Sequence, residues 1–255
     1  MGHAPELDAI DWSAPWLAPW RPIGEPLAGQ AREIGLVAAL NAAAAAAGPR
    51  FVAQDDVPQG EAYEAFIART ASVPTRANLH DFLNGLAWLR HPALKRRLNE
   101  LQAAQIAAAA PGRACRGAVR DALTHFDENA ALLQAPPVLI EALRGRDWQA
   151  LFVIHRAAWA GARLELFGHA LLEKLVRPRP AITAHVWVVP ERVQAMTPWL
   201  AETMTTGQLA GKPFLPLPVL GVPGWWTANE APDFYRDATV FRPAQKQTAA
   251  RGPLS

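Results

Sequence analysis

Twenty-three prolines cut this 255-residue chain into short segments. Proline lacks a backbone N–H, and its ring crowds the residue before it, so each one limits how far a helix or central strand can run. The breaks at Gly48-Pro49, Pro92, Pro111-Gly112, Pro136-Pro137 and Pro178 leave segments whose apolar residues recur three and four apart, which is the helical period. Helices are therefore expected over about Gln30 to Ala47, Gly60 to Ala71, Leu79 to Arg90, Ala93 to Ala109, Gly117 to Gln134, Ala162 to Val176 and Met196 to Thr206. Asn78 is placed to cap the third of these, and Asp147 a short one carrying Trp148, Leu151 and Phe152 inward. Val73-Pro74-Thr75-Arg76 reads as a break. Ile182 to Val189 alternates and is β-branched, the pattern of a strand, and Leu217 to Trp226 reads as extended.

The fold class that follows is mainly α: a single-domain helical bundle with a short β element and Pro/Trp-rich extended terminal segments. Residues 1–29 form an arm whose tryptophans Trp12, Trp16 and Trp20 are too costly to leave in water, so it should lie over the body. Residues 30–243 form the helical domain, and the polar residues 244–255 are expected to be disordered.

Hydrophobic residues make up 51% of the chain and charged ones 19%, enough for a sizeable core. A net charge of +2 predicts neither a nucleic-acid nor a membrane partner. Cys115 is the only cysteine, which suits a reducing compartment. No secretory signal is visible, Glu6 stands where a myristoylation signal wants Ser or Thr, and no apolar run spans a bilayer. The expected location is cytoplasmic. A phosphate loop, a dinucleotide-binding glycine pattern, a nucleophile elbow and cysteine pairs are all absent from the sequence.

Several polar strings are embedded in apolar sequence. In Asn78-Leu79-His80-Asp81-Phe82-Leu83-Asn84, His80 and Asn84 share a helix face. A histidine held beside a carboxylate can ligate a metal or move a proton, but the string also reads as a network at a helix start, where the dipole favours Asp81. Asp127-Glu128-Asn129 offers paired carboxylates for metal binding or acid–base work, or a solvated acidic face. In Gly168-His169-Ala170-Leu171-Leu172-Glu173-Lys174, His169 and Glu173 stand one helical turn apart, a spacing that can chelate one ion. The second histidine that a zinc-protease motif needs is missing. Gly168 could allow close helix packing. On the strand, Thr183, His185 and Trp187 share one face. His80-Asp81 invites comparison with helical phosphohydrolases, but the only upstream histidine is His3, in the arm.

Taken together, the strings Val73-Pro74-Thr75-Arg76, Asn78-Leu79-His80-Asp81, Phe126-Asp127-Glu128-Asn129, Phe167 to Lys174, Ala181 to His185 and Pro216 to Trp225 resemble a bacterial family known only as a domain of unknown function, family 3025. The resemblance covers about Phe51 to Pro243. It implies no activity, cofactor or catalytic residue. Ala130 departs from the family pattern, which more often has Gly after the Asp-Glu-Asn triplet.

Two functions from different classes follow. In the first, His80, Asp81, Asp127 and Glu128 are catalytic in a metal-dependent hydrolase of phosphoester type. His80, Asp127, His169 and Glu173 then hold a divalent metal, and Arg76, Asn84, Lys174 and His185 meet a small or phosphate-bearing substrate. In the second, the chain is a non-catalytic module. It binds nucleic acid through the basic residues Lys95, Arg96 and Arg97, joined by Arg113, Arg116 and Arg120, or binds a protein through its Trp-rich ends. A third, structural alternative is that the polar strings are hydrogen-bond networks fixing helix packing.

Overall fold

In the computed structural model, several element boundaries fall at capping residues, prolines and glycines. The structure describes residues 5–46, 48–109 and 117–244. His3, Ala47, the Pro111-Gly112 stop, Arg113, Cys115, Arg116 and the tail from residue 245 onward lie outside the described residues.

The arm is not extended. Short 3₁₀ turns at Pro5–Ala9 and Pro15–Leu17 lead into helix α1, Arg21–Ile34, with Pro22 in its first turn, where the missing N–H would have no partner anyway. The arm does lie on the body: Trp16, Leu17 and Trp20 are buried in the main apolar cluster, and Trp16 meets Trp225. The helix expected over Gln30 to Ala47 is two helices. Gly35, at φ 85°, breaks the chain between α1 and α2, Leu36–Ala43, and glycine takes that backbone without steric cost.

Strand β1, Arg50–Ala53, pairs in parallel with β2, Ser72–Thr75, across helix α3, Tyr63–Thr70. The expected break at Val73-Pro74-Thr75 is thus a strand. Its sheet has only two strands, so Pro74 can sit on an edge. Helix α4 spans Leu79–Arg90 and α5 Pro92–Ala107, both close to expectation.

The larger correction concerns two segments read as helix throughout. Helix α6, Ala118–Asn129, gives way to strand β3, Ala130–Gln134. After α7, Pro137–Gly145, strand β4, Arg163–Leu166, precedes helix α8, His169–Val176. With β5, Thr183–Val188, and β6, Leu215–Pro218, these strands form a four-stranded sheet of order β4-β3-β5-β6. β3 is parallel to β5 and antiparallel to β4, and every residue in it is buried. A strand covered on both faces carries no alternation, and Ala-Ala-Leu-Leu is as good a helix former as any. Helices α9, Met196–Thr203, and α10, Thr206–Ala210, divide at Thr205, which starts a capping box with Gln208. The protein is mainly helical, with more sheet than a short β element.

The four-stranded sheet separates two apolar clusters. Ala131 and Leu133 of β3, with Ala184 and Val186 of β5, face the larger one. Ala130, Leu132 and Trp187 face the smaller, which α5, α6, α9 and α10 complete with Leu98, Phe126, Leu200 and Leu209. No helix of the described residues is long and apolar enough to cross a membrane.

Gly168 joins the layers. Its N–H and that of Phe167 both reach the Ala130 carbonyl at 2.9 Å. A Cβ at residue 168 would lie 2.5 Å from the Asn129 nitrogen and the Glu128 oxygen, both backbone atoms that cannot swing aside. Gly168→Ala should therefore cost about 2–3 kcal/mol, read as a lower denaturation midpoint, since overpacking against backbone forces the elements apart. A second expectation concerns His91, buried between Trp20 and Phe167. Burial, reinforced by Arg90 and Lys95, pushes its pKa down from 6.5 to about 3. The unfolded chain binds the proton first, so stability is full above pH 6.5 and falls as pH drops toward 3. Between pH 6.5 and 5 the loss of unfolding free energy should be smaller in His91→Gln than in the unchanged protein by about 2 kcal/mol.

Candidate metal centre

Three helix ends converge. Asn78 caps α4 by accepting the Asp81 N–H at 2.8 Å, which sets His80 in the first turn. α6 carries Asp127 and Glu128 in its last turn, and α8 opens with His169. The Gly168–Ala130 junction brings the last two together.

The Nε2 atoms of His80 and His169 stand 3.1 Å apart, and Glu128 Oε1 is 3.8 Å from His169 Nε2. One ligand atom from each of His80, Glu128 and His169 lies within 4.8 Å of the others. The far sides of both imidazoles face carboxylates. His80 Nδ1 donates to Glu173 Oε2 at 2.7 Å, and His169 Nδ1 stands 3.8 Å from Asp127 Oδ2. Two imidazole nitrogens bound to one ion at ordinary lengths are roughly 2.9–3.4 Å apart, so this donor set fits a divalent metal. A carboxylate hydrogen-bonded behind a metal-binding imidazole fixes ring orientation and tautomer, as Glu173 does for His80, whereas His169 Nδ1 is near Asp127 but makes no hydrogen bond. His80 and Glu128 are about one-third exposed, while His169 is buried.

Charge within the cluster is organised by Lys95. Its side chain is 4% exposed, and its ammonium donates to Asp127 Oδ1 at 2.5 Å and to Asn84 Oδ1 at 2.9 Å, while Asn84 donates to the Tyr63 hydroxyl. Burial pushes the Asp127 carboxyl up, but Lys95 and then His169 outweigh it and hold it below its ordinary value. Burial pushes Glu128 up, helped by the Asp127 charge, and Glu64 beside Asn99 likewise. Burial drives His169 down to about 4 against the opposing pull of Asp127, so at neutral pH it is an uncharged imidazole. The acids sit at the negative end of the α6 dipole, where local helix energetics oppose them.

The expected residues divide. His80, Asp127, Glu128, His169 and Glu173 lie close together, with Glu128 among the converging donors, Glu173 behind His80 and Asp127 beside His169. Glu173 pairs with His80 across helices and does not chelate with His169. Asp81 is buried and taken up locally: it accepts from the Arg76 backbone N–H at 2.6 Å and from the Arg76 guanidinium at 3.0 and 3.2 Å. Arg76 is thus committed to Asp81, and Asn84 to the interior network. Lys174 is exposed beside Glu173 and donates to Asn129 at 2.6 Å. His185 faces His125, at a ring-centroid distance of 5.1 Å, and does not join the cluster.

Lys95, expected on a solvated basic face, belongs instead to the interior. Lys95, Asn99 and Gln102 recur at helical spacing and are all buried, but a polar stripe at that spacing ordinarily marks a solvent face, so the sequence carried no signal of their burial. Only Arg96 of the basic trio is exposed, while Arg97 is half-buried and donates to the Met204 carbonyl.

Beside Glu173 lies a cleft of about 500 Å³, lined also by Leu79, Lys174, Arg177, Arg179 and Glu6. Glu6, from the arm, accepts the Leu79 N–H at 3.3 Å.

Fold and cluster together define a mainly helical protein with a half-buried His/Glu/His constellation backed by two further carboxylates and a buried lysine. The sequence profile of a family described as "Protein of unknown function (DUF3025)" matches residues 49–245, and the chain belongs to that family. No curated protein matches the chain, and no solved structure does.

Lys95→Met would leave the Asp127 carboxylate buried without its cation. We expect a loss of about 3–5 kcal/mol, partly recovered in Lys95→Met/Asp127→Leu, because a buried pair is costly mainly when broken on one side. Chemical denaturation of the single and double variants measures this, and equal stabilities for all three proteins would refute it.

Proposed function

We propose that this protein is a metal-dependent hydrolase acting on anionic, phosphoester-type substrates. The observation that carries the reading is the convergence of His80, Glu128 and His169 within 4.8 Å, with His80 hydrogen-bonded to Glu173 and Asp127 beside His169. Three residues from separate helices would hold an ion while leaving it positions for water and substrate, as catalytic centres do. A divalent ion held there supplies Lewis acidity and lowers the pKa of bound water.

The chain's own residues have distinct tasks in this reading. Glu173 keeps the proton of His80 on Nδ1, so that Nε2 offers its lone pair. Burial keeps His169 neutral and able to ligate. Lys95 neutralises Asp127, so that the cluster carries no uncompensated second acid. Lys174, Arg177 and Arg179 give the neighbouring cleft a positive edge suited to an anionic substrate. The competing reading, a nucleic-acid or protein-binding module, has less support, because Lys95 faces inward and the arm's tryptophans Trp16 and Trp20 are buried.

Metal analysis of untagged protein should find a bound divalent ion, and addition of Zn²⁺, Mn²⁺ or Mg²⁺ to chelator-treated protein should raise its unfolding temperature. Glu173→Gln should weaken metal affinity about 10–100-fold, the usual effect of removing a group behind a ligand. His80→Ala and Glu128→Gln should abolish hydrolysis of p-nitrophenyl phosphate. The proposal fails if no ion is retained and none of the three stabilises the fold.

A further inference from the structure

A second cleft, of about 260 Å³, lies between α6, β5 and the turns that follow α7 and α10. It is separate from the candidate metal centre. His125 and His185 line it with Arg146, Lys212 and the ring of Phe214, and no Asp or Glu among the described residues does. Neither Arg146 nor Lys212 has a carboxylate partner among the described residues. His185 Nδ1 has no hydrogen-bond partner.

The backbone singles out the same two cations. Among the described residues only Ala71, Arg146 and Lys212 are non-glycine residues at positive φ. Arg146 stands at φ 49° just after α7, and Lys212 at φ 46° just after α10. In each case a glycine, Gly145 or Gly211, immediately precedes the cation, yet the cation occupies the left-handed position. A helix C-terminus favours positive charge nearby, which accounts for the residue types. It does not account for two side-chain-bearing residues accepting the conformation that glycine takes freely, nor for both turns opening on one cleft. Left-handed strain at non-glycine residues gathers where a site holds a side chain in place.

We propose that this cleft is a binding site for the phosphate group of a small phosphorylated molecule. The Arg146 guanidinium offers paired donors matched to phosphate oxygens, and Lys212 adds a point charge. The imidazoles of His125 and His185 supply further N–H donors, and Phe214 gives the ligand an apolar wall. Arg146 and Pro216 also line an adjoining cleft of about 260 Å³ that carries Arg242, which leaves room for the body of such a ligand.

The test uses the full chain, treated with chelator, and inorganic phosphate as the probe, with chloride at matched ionic strength as control. Calorimetric titration should detect phosphate binding. Arg146→Gln and Lys212→Gly should each weaken it at least tenfold, while Arg96→Gln, an exposed arginine of α5 that lines neither cleft, should leave it unchanged. Lys212→Gly also serves as the folding control. Glycine relieves the left-handed turn, so its unfolding temperature without phosphate should be no lower than that of the unchanged protein. The proposal is overturned if phosphate does not bind, if Arg146→Gln and Lys212→Gly bind it as tightly as the unchanged protein, or if Arg177→Gln/Arg179→Gln, in the cleft beside Glu173, loses it while they do not. It is also overturned if a single-stranded 12-nucleotide DNA binds more tightly than phosphate with the same dependence on Arg146 and Lys212, because the cleft would then read a polymer backbone.

Discussion

The close approach of Gly168 to the junction of α6 and β3 is the constraint on which the rest of the structure depends. The Ala130 carbonyl accepts two successive N–H groups, from Phe167 and Gly168. That contact ties the start of α8 to the end of α6 and, through β3, to the centre of the sheet. Any side chain at residue 168 would collide with backbone. Because the junction is tight, His169 emerges directly against Asp127 and Glu128. Because α8 is helical from His169 onward, Glu173 lies one turn further along, where it meets His80 of α4.

Such a junction creates an electrostatic problem as well as a site. Two acids at a helix C-terminus, one beside a buried imidazole, are unfavourable unless a cation is brought to them. Lys95 answers that need from α5, and its own burial is compensated by Asp127 and Asn84. The resulting chain from Tyr63 through Asn84 and Lys95 to Asp127, with His169 beside it, is a polar seam through a largely apolar interior. Seams of this kind break local rules and are expected where a protein does chemistry or holds a ligand. The turns at Arg146 and Lys212 are a second case, in which the cost lies in the backbone.

Much of the candidate site was legible in the chain. His80, Asp127, Glu128, His169 and Glu173 drew attention because each sits in a short polar string within apolar sequence. Their division of labour was not legible. Asp81 looked as available as Glu128, and only the packing reveals that Arg76 engages it from both backbone and side chain. Lys95 was hidden by its neighbours, since Lys-Arg-Arg in a helix normally means solvent. His185 appeared to be a residue of the same pocket, but the strand presents it to His125.

Local chemistry alone determined the helix at Leu79–Arg90 with its Asn78 cap, the helices opened by prolines at Pro92 and Pro137, and the strand near Thr183–Val188, because caps, prolines and alternation act within a few residues of themselves. Tertiary structure decided that Ala130–Gln134 and Arg163–Leu166 are strands. Their residues favour helix or neither state, and only pairing with β5 and burial on both faces makes the extended form the lower in free energy. It also decided which carboxylate faces which imidazole. That choice depends on distances between helices far apart in the chain, and no periodicity along the chain encodes them.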